Sequence, residues 1–321
     1  MISFSAMRIA VTGSSGLVGA SLVPALEMAG HEVVKLVRRE PRSSDELTWD
    51  PLAPEMPPET KNALQGVQAA IHLAGANIAD ARWSARRKQI IESSRTRGTD
   101  LLARTLAELD SKPSVLVCAS AVGIYGNRGA DWVDASSLPG SGFLAGLCQR
   151  WESAANPART AGIRVAHMRL GVVFHPTQGA LAKMTLPFRL GLGAPLGKGA
   201  QFMSWIGVAD AVGAILHVLE NENCIGPIDT VAPHPVTNIE FTTALAGVFR
   251  RKARLRIPKI AARLLFGELA EELLLAGQRV RPTALLRSGY AFQQPEIVEC
   301  LRGILNRPKR DWFEELGEAT D

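Results

Sequence analysis

Residues 8–19 read RIAVTGSSGLVG, a short apolar run that closes on Gly13, Gly16 and Gly19. Runs this short and apolar are strand-like, whereas the residues that follow, 17–29, carry their apolar side chains at helical spacing. HEVVKLVRR (31–39) is apolar again before two cations. Strand, glycine turn, helix and strand make one βαβ unit. In such a unit the first glycine permits a tight turn, the second lets backbone approach a pyrophosphate, and the third allows close helix–strand packing. The helix N-terminus meanwhile offers unpaired N–H groups and the positive end of its dipole to an anion. The stretch therefore predicts a dinucleotide site formed by Gly13, Ser15, Gly16, Leu17, Val18 and Gly19.

Outward from this unit, strand-like runs recur at VQAAIHLAG (67–75), SVLVCASA (114–121) and IRVAHMRLGVVF (163–174), with helical stretches around 84–109 and 143–156 between them. Strands alternating with helices predict an α/β fold, a Rossmann-like doubly wound parallel sheet covered on both faces. After Phe174 the texture changes: GALAKMTLPFRLGLGAPLGKG (179–199) is too apolar for a disordered linker and too broken for one helix, and reads as an excursion over the ligand cleft. Helical spacing returns at 208–223, GPIDTVA (226–232) reads as one more short strand, and 238–250 and 258–276 read as two further helices. The expected division is a Rossmann domain of 7–173 and 205–232, with a smaller C-terminal substrate lobe of 174–204 and 233–321.

Composition narrows the class. With 46% hydrophobic and 21% charged residues and no run long enough to cross a bilayer, the chain reads as a globular protein with no membrane partner. The opening MISFSAM has no basic segment ahead of an apolar one, which argues against a secretory signal. Cys118, Cys148, Cys224 and Cys300 form no C-x-x-C pair, so neither a metal site nor a disulfide framework is expected, and a reducing cytoplasmic setting fits. The net charge of +5 admits an anionic partner, but the basic clusters at 85–88, 250–256 and 307–310 have no interleaved aromatics. They read as solvated surface, and nucleic acid as a partner ranks last.

About twenty residues beyond the glycines, an NAD site normally presents a carboxylate to the ribose hydroxyls. Here the second strand ends in Arg38 and Arg39. A guanidinium fork matches phosphate oxygens, so the expected cofactor is NADP(H), held at its 2′-phosphate; the competing reading is a strand end with two solvated arginines.

These features resemble the short-chain dehydrogenase/reductase superfamily in its extended, epimerase-like branch: TGSSGLVG, HLAG (72–75) and SAVGIYG (120–126) come in the order that branch shows. GANIADARW, SSRTRGTDLLA, LCQRWE, RLGVVF, SWIGVADAV and LLFGELAEELLLAGQRVRPTALLRSGYAF narrow the resemblance to atypical NAD-dependent epimerase/dehydratase-like proteins with a small C-terminal domain, over Met7 to about Leu305. The resemblance implies NADP(H) binding, with Leu73, Ala74 and Gly75 along the adenosine and ribose side and with Arg95 and Glu152 reaching the cofactor from neighbouring helices. Gly207 stands where relatives commonly show His, and no role is assigned to it.

The resemblance also exposes a gap. The usual Tyr-x-x-x-Lys, in which Tyr passes a proton and Lys lowers its pKa, falls here on Phe143 and Leu147. A register shifted by one gives Leu144 and Cys148, and no shift helps: the two tyrosines are Tyr125 and Tyr290, and no lysine lies between Lys112 and Lys183. Phe143, Leu147 and Trp151 share a helical face, which is either core packing or an apolar border to the nicotinamide. Ser120 and Tyr125 are weak candidates for the missing acid; Ala121 holds the usual Ser/Thr place. Arg169, Arg189 and Lys198 are candidates to orient an anionic substrate, with plain surface charge as the alternative. None of the six histidines has metal-ligand spacing, and His72 reads as a satisfied core residue. Two functions stay open: an NADP(H)-dependent oxidoreductase or epimerase-like enzyme acting on an unidentified small molecule, and a non-catalytic NADP(H)-binding sensor or partner-binding protein. Oligomeric state is not legible.

Overall fold

The computed structural model describes residues 6–253 and 255–306. Seven strands, β1 (Arg8–Thr12), β2 (Glu32–Val37), β3 (Glu46–Thr48), β4 (Ala69–His72), β5 (Val115–Ala121), β6 (Arg164–Leu170) and β7 (Gly226–Thr230), form one sheet in the order β7-β6-β5-β4-β1-β2-β3. Every neighbouring pair is parallel. The order runs outward in both directions from β1 and β4, so the sheet is doubly wound and its switch point lies between those two strands.

Alternation decides what each face packs against. Ile9, Val11, Ile71, Val117 and Met168 point to one side, into a core with helices α1 (Gly19–Met28) and α5 (Val208–Glu220). Ala10, Ala70, Leu116 and Val165 point to the other, against α2 (Ala85–Ala107). Both faces are thus covered, which is why the strands read as unbroken apolar runs. Helix α3 (Phe143–Ser153) lies beside α2. A third core, built on Phe174, Trp205, Phe241 and Leu301, is closed by α4 (Gly179–Arg189), α6 (Asn238–Val248) and α8 (Ile297–Asn306).

Several boundaries differ from the expected ones for identifiable reasons. The run 163–174 is two strands: at Gly171 the chain leaves the sheet, and Val172–Phe174 pairs instead with Trp205–Gly207. A Cβ on Gly171 would lie 2.6 Å from the Ser204 carbonyl oxygen, so only glycine allows that crossing. The stretch 258–276 is likewise broken, α7 (Lys259–Phe266) ending at Gly267, whose φ of 60° no continuing helix has, before a π turn at Ala270–Leu274. The excursion after Phe174 contains α4, with Pro187 inside its last turn. The basic cluster 307–310 lies outside the described residues. Among the described residues no helix is long and apolar enough to cross a membrane, and no group of metal-ligating side chains gathers.

Candidate functional site: a glycine-walled cleft and a buried polar row

A cleft of about 980 Å³ opens over the switch point, lined by the glycine turn, the ends of β2 and β4, and Glu46, Trp49 and Pro51. Its floor is held by Thr12, whose hydroxyl lies 2.8 Å from His72 Nδ1 and accepts the Ala74 amide at 3.3 Å. His72 is fully buried, and burial pulls its pKa down to about 4, so the ring is a neutral core residue as expected, but not a fully satisfied one: Nδ1 is tied to Thr12 and Nε2 has no partner among the described residues.

Each glycine in the turn has its own reason. Gly13 has φ of 71°, and a Cβ there would meet the Leu73 carbonyl carbon at 2.7 Å. A Cβ on Gly19 would collide with the Gly13 carbonyl oxygen. Turn and helix are therefore packed at backbone distance, leaving the Gly13–Gly16 turn, closed by a 2.9 Å hydrogen bond, facing the cleft with Ser15. Val18, the residue before α1, makes no side-chain cap, but the Ala20 and Ser21 amides are already taken by the Gly16 and Val18 carbonyls at 2.9 and 3.1 Å, so the backbone that faces the cleft is that of the turn ahead of them. Leu17, Val18 and Gly19 lie behind that wall: Val18 and Gly19 are buried, and Leu17 packs under Gly179 at the start of α4.

The two arginines part company. Arg38 is exposed, lines the cleft and takes part in no ion pair among the described residues. Arg39 also lines the cleft, but its guanidinium forks onto Glu46, with Nη1 at 2.7 Å and Nη2 at 2.5 Å from the two carboxylate oxygens. Lys35 is likewise engaged, with Asp45 at 2.6 Å. Leu73, Ala74 and Gly75 line the same cleft. Arg95 does not line the cleft: it donates to the Ala76 carbonyl at 2.9 Å and stacks 5.0 Å from the Trp151 ring, while Ser94 accepts the Ala76 amide at 3.0 Å. It supports the loop that carries Gly75. Burial lowers the Arg95 pKa to about 10.

Glu152 departs furthest from expectation. β5, β6 and β7 place Ser120, Arg169 and Asp229 in one register row. Across that row Ser120 Oγ donates to Glu152 at 2.7 Å, Arg169 grips both Glu152 oxygens at 2.8 and 2.9 Å and donates to the Tyr125 hydroxyl at 2.9 Å, and that hydroxyl donates to Asp229 at 2.6 Å. Ser120, Tyr125, Arg169 and Asp229 are all buried, so the two candidate acids stand inside the sheet's end, away from the cleft wall. Burial would raise Glu152, but the Arg169 guanidinium overrides it and holds the carboxyl below its usual range. Burial also raises Tyr125, helped by the adjacent Asp229 carboxylate, and makes it a poor proton donor at neutral pH. Of the candidates for an anionic substrate, Arg169 is thus already paired, and Arg189 lies over the Phe249 ring.

The apolar face of α3 is packed. Leu147 and Trp151 are buried, the Trp151 indole donates to Thr99 at 3.1 Å, and Phe143 meets Trp83 edge-on at 5.1 Å. The carboxylate of Glu272, from the C-terminal segment, accepts the amides of Phe143 and Leu144 at 3.2 and 3.1 Å and caps the helix. Gly207 also has an account: a Cβ there would lie 2.6 Å from Gln294 Oε1, so that side chain fills the space a larger residue would take.

Nothing in the sequence pointed to Glu46, Trp49 or Pro51, since the strand that carries Glu46 has only three residues and shows no period. Asp229 was equally silent, one acid in an apolar run.

A doubly wound sheet with a glycine turn and a cleft at its switch point defines a Rossmann-like α/β protein with a smaller C-terminal region. The family model for the NAD dependent epimerase/dehydratase family matches residues 9–227, and a domain of unknown function, DUF1731, matches 257–304. The chain belongs to that epimerase/dehydratase family. It is 44% identical over 300 residues to an epimerase family protein of Mycobacterium bovis, covering 94% of this chain and 98% of that one. It is 35% identical to the human epimerase family protein SDR39U1, covering 93% of this chain and all of the other. A crystal structure of human SDR39U1 isoform 2 with NADPH superposes with a TM-score of 0.86 at 33% identity, covering 94% of this chain and 100% of that one. A nucleoside-diphosphate sugar epimerase from Corynebacterium glutamicum gives 0.79, also at 33%, covering 98% of this chain and 62% of that one.

Proposed function

We propose that this chain binds NADP(H) in the cleft and acts as an oxidoreductase or epimerase-like enzyme to which helix α3 supplies no proton. The observation that carries the reading is Arg38: an exposed guanidinium with no carboxylate partner among the described residues, on the cleft wall at the end of β2. The relative whose structure contains NADPH adds weight. The turn amides suit a pyrophosphate, Arg38 suits a 2′-phosphate, and Leu73, Ala74 and Gly75 line the same cleft. A bound nicotinamide would supply or accept hydride. Phe143 and Leu147 have no proton to exchange, so any accompanying proton comes from a group other than these two.

The test is a titration of both reduced cofactors into wild type and Arg38→Asp at fixed ionic strength. A charge-assisted hydrogen bond of about 1.5–3 kcal/mol corresponds to roughly a 10- to 150-fold preference for NADPH. Arg38→Asp should abolish or reverse it, because the new carboxylate repels the phosphate and accepts from ribose hydroxyls. Equal wild-type affinities, or an unchanged ratio in the variant, overturn the reading.

The packed face of α3 favours a second reading, a non-catalytic NADP(H)-binding protein. A panel of carbonyls and alcohols separates the two. Turnover some 10²–10⁴-fold below that of an enzyme with a positioned acid supports the first; tight binding with no turnover supports the second.

A further inference from the structure

The cleft holds two arginines at the end of β2, yet of the two only Arg38 has no ion-pair partner among the described residues. Arg39 and Glu46 form a fork-to-fork pair on the cleft wall, and the Arg42 amide adds a third hydrogen bond to the same carboxylate at 2.7 Å. The side chain of Glu46 is only 10% exposed, whereas that of Arg39 is 43% exposed. The acid is therefore the fixed member, and the guanidinium is the member within reach of solvent and ligand. A carboxylate gripped by both arms of a guanidinium occupies the donors that a phosphate would take.

We infer that Glu46 sets the cofactor preference, acting as an internal competitor that holds Arg39 away from the 2′-phosphate. The proposal rests on the NADP(H) reading of the cleft and adds to it. A ligand with a 2′-phosphate must win Arg39 from Glu46 or bind through Arg38 alone. A ligand with a free 2′-hydroxyl meets a neutralised pair. Nearby Lys35 does not alter this, being held by Asp45 at 2.6 Å and by Glu27 at 3.6 Å. The preference for NADPH is thus smaller than two unpaired arginines would confer.

Glu46→Gln keeps the shape and one acceptor while removing the charge, and Glu46→Asp draws the carboxylate back by one methylene. Titrating 2′,5′-ADP and 5′-AMP by calorimetry into wild type, both variants, Arg39→Ala and Arg39→Ala/Glu46→Gln isolates the effect without any turnover. Glu46→Gln should tighten 2′,5′-ADP by about 1.5- to fivefold, the fold-change that a solvent-exposed ion pair represents. Glu46→Asp should move the same way by less, 5′-AMP should not respond, and the gain should vanish when Arg39 is also removed. An unchanged or weakened 2′,5′-ADP affinity in Glu46→Gln, with wild type still preferring 2′,5′-ADP over 5′-AMP, overturns this proposal and leaves the NADP(H) reading standing. A wild type that does not distinguish the two nucleotides overturns both.

Discussion

Asp229 accepts the Tyr125 hydroxyl with one carboxylate oxygen, and its other oxygen is buried with no partner among the described residues. Burial is the main reason its pKa is pushed up from 3.8 to about 7. A carboxyl raised in the folded state gives its full contribution to stability below its unfolded pKa, and that contribution is lost as pH rises from about 4 through about 7. His72 and His167 act in the opposite sense: burial lowers both to about 4, so the stability each gives is present above pH 6.5 and lost as pH falls through 4. Subtracting one profile from the other isolates the acid. Asp229→Asn should gain on wild type by up to about 1.4 kcal/mol per pH unit between pH 4 and pH 7, read as urea midpoints. A constant offset between the two proteins across that window would show that Asp229 stays ionised. This row was hidden from sequence reading because its members are far apart in the chain; Ser120 and Tyr125 were visible only as weak candidates for the missing acid, since strand register alone reveals that Arg169 and Asp229 lie beside them. The cleft was more legible. Its glycines, Arg38 and HLAG are local motifs whose chemistry follows from order along the chain.

Helix α3 takes its N-terminal cap from another part of the molecule. Gly142 precedes it with φ of 106°, a residue without a side chain to offer, and Glu272 supplies the missing acceptor. A carboxylate there pairs with two helical amides and with the positive end of the helix dipole. Glu272→Ala should therefore destabilise the fold by about 0.5–2 kcal/mol in urea, with Glu272→Gln losing less. Amide exchange at Phe143 and Leu144 should quicken first; unchanged exchange there would mean that water replaces the cap without loss. Helix and strand types were readable because the central strands are short unbroken apolar runs and α1, α3 and α5 carry apolar residues at helical spacing. Breaks were not. Gly171 and Gly267 end their elements through a close approach to Ser204 and a left-handed backbone, and neither leaves a trace in spacing.

At the scale of the molecule, residues 290–294 of the C-terminal segment are anchored on α5 by one buried acid. Asp210 accepts the Gln293 and Gln294 amides at 2.8 and 2.9 Å and the Tyr290 hydroxyl at 3.0 Å, and burial pushes its pKa up. Asp210→Ala removes the acceptor these half-buried and exposed residues share, at about 0.5–1.5 kcal/mol for each hydrogen bond lost. Hydrogen exchange should rise across 290–304 while β1 and β2 keep their protection; uniform loss everywhere would show that the segment does not open on its own. The strand order carries a further implication for synthesis. β6 has one flank on β5, and its other flank waits for β7, in which Ile228, Asp229 and Thr230 are each at most 1% exposed. Between them the ribosome must translate residues 171–225, including all of α4 and α5. Throughout that interval the nascent chain carries an open, apolar strand edge, the template on which chains aggregate. A pause in translation between Gly171 and Ile225 therefore leaves this edge open to misassembly, and a chaperone that shields strand edges would act there.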